Sequence, residues 1–313
     1  MAVLILEADS YSPSALATYR SLGQVHLGEA PEPERVSVLV VRLGHMIDAA
    51  LLSRFPALKA VVSPTTGLDH IDEDACAARG IEVFSLKSTP EALERITSTS
   101  ELTLGLILAL VRRIPQANTD VVEKGDWQRN RFKGRQVAGL KLGIVGLGRI
   151  GRHVAGYARA LGMTIVASDP LWPKTGFEYV QRLSLPELLA SCDIVSLHVK
   201  HTPKTRSLIG ADQIGAMKAG ALLINTARGE ILDENAAAQA LRAGRLGGIA
   251  VDVLANENAV ADALALSPLV AAAQAGLNVI ITPHIGGCSQ DAMHVTEEVM
   301  AQYYADRIQN IIE

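Results

Sequence analysis

Residues Lys141–Gly151 read KLGIVGLGRIG. An aliphatic run, Leu142–Val145, passes directly into Gly146-x-Gly148-x-x-Gly151 and then into Ile150–Leu161, which is patterned as a helix. Glycine has a separate reason at each place: a tight turn at 146, backbone approach to a pyrophosphate at 148, and close packing of helix on strand at 151. The start of the helix then offers free N–H groups and its positive dipole end to an anion. The spacing alone is a weak signal. The next aliphatic run, Thr164–Ala167, strengthens it by leading to Asp169, 18 residues past Gly151, where an acid can take the ribose hydroxyls of a dinucleotide. Asp169 would repel a 2′-phosphate, which favours NAD over NADP. The turn thus nominates Gly146, Gly148, Arg149, Ile150, Gly151 and Asp169 as cofactor contacts.

Working outward, short aliphatic runs alternate with amphipathic stretches almost throughout, the pattern of parallel sheets with crossover helices. Downstream the expected strands are Leu142–Val145, Thr164–Ala167, Ile194–Leu197, Ala221–Ile224, Gly248–Val251 and Val279–Ile281. Upstream they are Val3–Leu6, Val36–Val41, Ala60–Ser63 and Ile81–Phe84, with helices such as Asp48–Arg54 and Asp72–Arg79 between. Ser184 and Glu187 have capping-box spacing. A long helix, about Ser100–Ile114, joins the two arrays, and a last one, about Ser289–Ile311, is placed to return to the first. The expected fold is therefore α/β, with two doubly wound parallel-sheet domains. A Rossmann domain, residues 99–285, is inserted into a discontinuous flavodoxin-like substrate domain made of residues 1–98 and 286–313. Ala259–Ala275, rich in alanine, reads as an elaborated loop with a helical turn or two.

At 313 residues the chain is long enough for two cores. Apolar residues make up 49% and charged residues 20%, the balance of a globular protein. A net charge of −4 provides no global basic field for nucleic acid or an anionic membrane, so an anionic ligand must be met by local arginines. The most apolar stretch, Leu102–Val111, is too short to span a bilayer, which needs about 20 residues. Three cysteines without CxxC spacing suggest neither disulfides nor a metal site and fit a reducing cytoplasm. No signal peptide is expected from the opening MAVLILEADS.

Ligands of open α/β sheets bind beyond the carboxyl ends of the strands, and three such ends carry reactive side chains. ALLINTARGE (221–230) places Arg228 just past an apolar strand. GIAVDVLANE (248–257) places Asp252 at a strand end and Glu257 five residues on. NVIITPHIGG (278–287) places His284 before two glycines. Arginine can grip a carboxylate with two parallel hydrogen bonds. Histidine can exchange a proton near neutral pH, and a carboxylate beside it fixes its tautomer and stabilises the imidazolium. Arg228, His284 and Glu257 can fill those roles in that order for a 2-oxo acid. Taken singly each has an ordinary alternative, a solvated arginine or a plain loop histidine. His198, closing Ile194–Leu197, reads as a lining residue of the cofactor cleft.

Beyond these stretches the chain contains TTGLDHID (65–72), SELTLGLILALVRRIPQA (100–117), GDWQR (125–129), CDIVSLHV (192–199) and MKAGALLINTARGEILDE (217–234). With GLKLGIVGLGRIG (139–151) and TPHIGG (282–287), they make the sequence resemble the D-isomer-specific 2-hydroxyacid dehydrogenases over almost its whole length. Within them it is similar to the 3-phosphoglycerate dehydrogenase and glyoxylate/hydroxypyruvate reductase branch. The resemblance implies an NAD-dependent dehydrogenase of a small anionic 2-hydroxy/2-oxo acid, with Arg228 on the substrate carboxylate, His284 as acid/base and Glu257 as its partner. It implies that Thr65, Thr66 and Gly67 cradle the carboxylate. It further implies that Asp252 and the Thr226 region contact the nicotinamide side of the cofactor, with Gly287 also at the cofactor. A homodimer formed through the cofactor domain is expected, and no metal.

Departures concern the substrate. Phosphoglycerate dehydrogenases often carry an arginine where Ser63 stands, although Arg42 matches a family arginine and is expected to meet a distal anionic group. Lys200 and Asn258 replace usual prolines, the loop from Glu257 to His284 is long, and Ser88–Ile96 is atypical. No counterpart of the regulatory domain that many phosphoglycerate dehydrogenases append is expected. The competing readings are a phosphoglycerate dehydrogenase proper and a non-catalytic NADH-sensing corepressor-like protein.

Overall fold

The structure, a computed structural model, describes residues 1–172, 175–257 and 264–312. Internal contacts divide the chain into Met1–Ile96 with Gly287–Glu313, and Thr97–Gly286.

The first unit is built on five strands: β1 (Ala2–Ile5), β2 (Gln24–Leu27), β3 (Val38–Val40), β4 (Ala60–Ser63) and β5 (Glu82–Ser85). They pair in parallel in the order β2-β1-β3-β4-β5, the flavodoxin-like doubly wound order. Successive side chains point to opposite faces of a strand, and here both faces are buried. Val3, Ile5, Val38, Val40 and Val62 pack on one side with Tyr19 and Phe84. Leu4, Leu39 and Val61 pack on the other with Leu52, Phe55 and Ile71. The helix Gln290–Ile312 belongs to this unit and sets Met300, Ala301 and Tyr304 into the first of those clusters. Phe84 and Tyr304 meet edge to face, ring centroids 5.1 Å apart.

Arg42, expected to reach a ligand, has a partner inside this unit. Its Nε and Nη2 donate to Glu297 Oε1 at 3.2 and 2.6 Å, and Nη2 also donates to Met293 O at 3.2 Å. Glu297 is fully buried and its Oε2 accepts the Ser12 N–H at 2.6 Å. A carboxylate taken out of water needs such a counter-charge, and removing one member of a buried pair costs about 3–5 kcal/mol. The guanidinium is thus engaged in the core of its own unit.

The second unit carries seven strands: β6 (Lys141–Val145), β7 (Thr164–Ser168), β8 (Val180–Arg182), β9 (Ile194–Leu197), β10 (Ala221–Asn225), β11 (Leu246–Val251) and β12 (Val279–Ile281). All pairs are parallel, in the order β8-β7-β6-β9-β10-β11-β12. This is the dinucleotide-binding order with one further strand, and its direction reverses between β6 and β9, where ligands of such sheets bind. The helix Ser98–Arg112 covers one face with Leu106, Ile107, Leu110 and Val111. On the opposite face Gly143 is required by packing, since a Cβ there would stand 2.5 Å from Leu188 Cδ2 and 2.7 Å from Cys192 Sγ. The Ser184 capping box forms, with the backbone N–H and hydroxyl both donating to Glu187 Oε2 at 2.9 and 2.6 Å. No described helix is long and apolar enough to cross a membrane.

Two strands escape the sequence pattern. β2 (QVHL) and β8 (VQR) are short edge strands, each with a single buried neighbour strand and partly exposed side chains. They lack the continuous aliphatic run by which central parallel strands are recognised. Within Ala259–Ala275 the helix Pro268–Gln274 supplies the expected helical turns, while residues 258–263, Asn258 among them, lie outside the described residues.

None of the cysteines is in a disulfide, and their accessibility differs. Burial pushes the Cys192 thiol up to about 11 and the Cys76 thiol up as well, whereas Cys288 is exposed. The thiolate is the reactive form. A polar alkylating agent at mildly alkaline pH is therefore expected to label Cys288 in the native protein, and Cys76 and Cys192 only after unfolding. Mass spectrometry of the peptides checks this, and native labelling of Cys192 as fast as Cys288 would contradict the packing around Gly143.

Candidate active site

The glycine turn after β6 has the geometry its residues require. Gly146 adopts φ +96°, a conformation strained for other residues, and a Cβ there would lie 2.7 Å from His198 O. A Cβ on Gly151 would lie 2.1 Å from Gly146 O, so the helix Arg149–Ala160 can sit against the turn only because residue 151 is glycine. At Gly148, the N-cap of that helix, a Cβ would meet nothing within 4 Å. This open space before a helix N-terminus suits a diphosphate. Asp169 follows β7 and accepts the Leu147 N–H at 2.6 Å and the Leu171 N–H at 2.7 Å. Its carboxylate is thereby pinned beside the turn and retains acceptor capacity for hydroxyls. The residues present fit a dinucleotide.

His198, at the end of β9, is half-buried and its Nε2 lies 2.8 Å from Ser196 Oγ. Loss of hydration holds its imidazole down at about 4, so it is neutral in ordinary buffers. Thr226, after β10, bonds to Thr103 Oγ1 at 2.8 Å. The side chains of both residues are thus anchored within the unit.

The end of β10 is shaped by Asn225. Its Nδ2 donates to Arg228 O at 2.8 Å and its Oδ1 accepts the Ala227 N–H at 3.0 Å, which closes a turn that presents Arg228. The next residue, Gly229, packs so closely that a Cβ would lie 2.1 Å from the Leu254 carbonyl carbon. The segment bearing Arg228 therefore lies directly on the segment leading to Glu257.

Asp252 closes β11 from a nearly fully buried position. Its Oδ1 accepts from Thr282 Oγ1 at 2.5 Å and Ile285 N at 2.9 Å, and its Oδ2 from Gly286 N at 2.7 Å. Desolvation raises its carboxyl above the usual range, opposed by those three donors. Asp252 was expected at the nicotinamide, and in the structure both of its oxygens organise the loop that carries His284. That histidine has φ +52°, and its N–H donates to Asp252 O at 2.8 Å and Thr282 O at 3.0 Å. Its Nδ1 lies 2.5 Å from Glu257 Oε1. A carboxylate can only accept, so Nδ1 carries the proton and Nε2 is left for chemistry.

A family model described as "D-isomer specific 2-hydroxyacid dehydrogenase, NAD binding domain" matches residues 104–286, more than half of the chain. The chain belongs to the D-isomer specific 2-hydroxyacid dehydrogenase family. The glycine turn and Asp169 both lie within the NAD-binding domain of that family. D-3-phosphoglycerate dehydrogenase from Methanocaldococcus jannaschii is 36% identical over 96% of this chain, which spans 56% of that protein. Glycerate dehydrogenase from Methylorubrum extorquens is 34% identical over 85% of the chain and 82% of its own length. Several further curated phosphoglycerate dehydrogenases are likewise matched over only about half of their length. Among solved structures, D-lactate dehydrogenase from Aquifex aeolicus, complexed with NAD and lactic acid, superposes with a TM-score of 0.81 at 27% identity over 99% of this chain and 96% of that one.

Of the family positions read from the sequence, the structure brings together Glu257 with His284, Asp252 with the His284 loop, and the Arg228 turn with the Glu257 segment. Thr65, Thr66, Gly67 and Gly287 belong to the other unit. There Thr65 Oγ1 donates to Gly67 O at 2.8 Å, which folds the 65–67 loop locally. Asn225 was missed by the sequence reading, although an amide closing an aliphatic strand, three residues before an arginine, is a usable signal.

His198 makes the fold pH-sensitive in a stated direction. Its folded value of about 4 lies below the usual 6.5, so as pH falls through that window the unfolded chain takes up the proton first and the fold loses stability. Replacing it by glutamine is expected to shrink the difference in unfolding free energy between neutrality and about pH 4.5. Urea titrations at both pH values measure it, and an unchanged difference would mean that the imidazole is not desolvated.

Proposed function

We propose that this chain is an NAD-dependent oxidoreductase acting at C2 of a small D-2-hydroxy/2-oxo acid. The observation that carries the reading is the His284–Glu257 pair, fixed on a loop tied to Asp252 and lying next to the Arg228 turn. When bound, NADH supplies the hydride. Arg228 holds the substrate carboxylate through charge-assisted hydrogen bonds. His284 Nε2 gives its proton to the oxygen at C2 during reduction and takes it back during oxidation. Glu257 keeps Nδ1 protonated and stabilises the imidazolium by its negative charge. Gly146, Gly148, Gly151 and the first-turn N–H groups at Arg149 and Ile150 would hold the diphosphate, and Asp169 the ribose hydroxyls. Thr65, Thr66 and Gly67 are proposed as further carboxylate contacts on family resemblance.

The same residues bear on the substrate. Similarity to phosphoglycerate dehydrogenases favours a phosphorylated acid, but the position where those enzymes often have arginine is Ser63, buried and bonded to Thr65 Oγ1 at 2.7 Å. Arg42, the second cation a phosphate would need, is taken up by Glu297. We therefore favour an unphosphorylated acid such as glyoxylate, hydroxypyruvate or pyruvate. The unpaired cysteines are consistent with a cytoplasmic enzyme.

His284→Ala is expected to lower kcat by about 10²–10⁴-fold with NADH still bound. Arg228→Ala is expected to lower kcat/KM for the oxo acid by roughly 10–100-fold, mainly through KM. NADH oxidation followed across glyoxylate, hydroxypyruvate, phosphohydroxypyruvate and pyruvate tests reaction and substrate together. Near-normal turnover of His284→Ala would refute the mechanism, and a strong preference for phosphohydroxypyruvate would restore the phosphoglycerate reading. Tight NADH binding with no oxo acid reduced would favour a cofactor-sensing protein.

A homodimer is part of the proposal. Ile114, Val122 and Trp127, in and just after the helix Ile114–Lys124, are 53%, 72% and 85% exposed, which for large apolar side chains suits a second copy of the chain. Sedimentation is expected to give twice the chain mass, and Trp127→Glu to shift it toward the monomer. A wild-type monomer at micromolar concentration would overturn this point.

A further inference from the structure

Glu234, the first residue of the helix Glu234–Arg242, has a carboxylate whose two oxygens serve two separate segments. Oε1 accepts the Ala255 N–H at 2.7 Å and Oε2 accepts the Ser267 hydroxyl at 2.9 Å. Ala255 lies two residues before Glu257. Ser267 caps the helix Pro268–Gln274, its Oγ accepting the Leu269 N–H at 3.3 Å. One half-buried carboxylate therefore clamps the chain on both sides of Glu257.

The clamped segment needs definition from outside. Asn256, between Ala255 and Glu257, has φ +59°, a left-handed conformation that stores strain and persists only where surroundings impose it. The other hydrogen bonds of the segment are long: the Leu254 N–H donates to Glu257 Oε2 and the Glu257 N–H to Leu254 O, both at 3.3 Å, and the Asn256 N–H donates to Glu230 Oε1 at 3.4 Å. On its other side the segment rests against Gly229. With the Ala255 N–H released, nothing else described holds residue 255 by a hydrogen bond, and the direction of the Glu257 side chain would be set less sharply.

We propose that Glu234 is a positioning residue for the reaction: by clamping Ala255 and Ser267 it aims Glu257 at His284 Nδ1. The proposal rests on the acid/base reading of His284 for its effect on turnover, but not for its effect on the hydrogen bond. The described bonds of the Glu234 carboxylate go to Ala255 and Ser267, so its action runs through the segments that flank Glu257.

The test compares wild type with Glu234→Ala, Glu234→Gln and Ser267→Ala, with Glu257→Gln and His284→Ala as references. The first readout is the downfield proton resonance of the His284 Nδ1–H···Glu257 bond, which needs no turnover. The second is kcat at saturating oxo acid, set beside the NADH dissociation constant. Glu234→Ala is expected to broaden or abolish the resonance, as Glu257→Gln does, and to lower kcat by about tenfold or more, since small misplacements of reacting groups are costly. NADH affinity should stay within about twofold, because the glycine turn is untouched. Glu234→Gln retains one acceptor and should fall between wild type and alanine, with Ser267→Ala showing a smaller loss of the same kind. If Glu234→Ala does not fold, these two milder variants decide, and a wild-type resonance and kcat in both would overturn the proposal. So would a Glu234→Ala protein that keeps the resonance, or one in which kcat and NADH affinity fall together. Turnover surviving in His284→Ala would instead overturn the acid/base reading, leaving the resonance to judge Glu234.

Discussion

The proposed active arrangement depends first on a buried acidic side chain, that of Asp252. At the end of β11 it draws in a hydroxyl and two backbone N–H groups from residues 282–286, and so bends the chain after β12 into the loop that carries His284. Burial works against this charge and raises its carboxyl. A group whose folded value lies above its unfolded one supports the fold at low pH, and that support is lost as pH rises through the window above the ordinary carboxylate range. Burial of Asp252 thus disfavours its ionised form, and three donors that all address its oxygens compensate that cost while shaping the loop.

Much of this was readable in the sequence, for physical reasons that differ by element. The central strands β6, β9, β10 and β11 announce themselves because a parallel strand covered on both faces must be aliphatic along its length. The glycine turn is legible because only glycine fits at 146, where φ is positive, and at 151, where a Cβ would collide with Gly146 O. β2 and β8 were not legible, because an edge strand can be short and half polar. Arg42 is the instructive case. A charged residue after a strand can meet a ligand or a buried counter-charge, and the counter-charge that Arg42 meets, Glu297, lies 255 residues away in the chain.

Asp252 shows the same limit in another form. Its position at a strand end was plain, but the direction of its oxygens depends on N–H groups more than 30 residues later. Asn225 and Glu234 were hidden for a related reason, since Asn225 acts by bonding to backbone and Glu234 reaches the Glu257 segment through a backbone N–H. Backbone partners leave no trace in residue type, so a sequence names the groups that meet ligands more readily than the groups that hold those in place. The strand ends and the family pattern both single out Arg228, Glu257 and His284 as candidates, and the structure adds the supports behind them.

Those supports share one physical task. Two non-glycine residues at the proposed dyad, Asn256 and His284, adopt left-handed backbone conformations, each a strain of order 1–3 kcal/mol. Strain of that size would relax if the flanking segments were free. Around His284 the restraint comes from Asp252, through both side chain and carbonyl; around Asn256 it comes from Glu234 on the Ala255 N–H, from Glu230 on the Asn256 N–H, and from the close approach of Gly229 to Leu254. In each case acidic side chains beside a strained turn take up its backbone N–H groups. The left-handed turns flank a Glu257–His284 contact of 2.5 Å, and the carboxylates behind them resist the relaxation that would part the pair. Stability is lost at both turns, and what is gained is an imidazole held with its Nδ1 occupied and its Nε2 directed by a rigid frame.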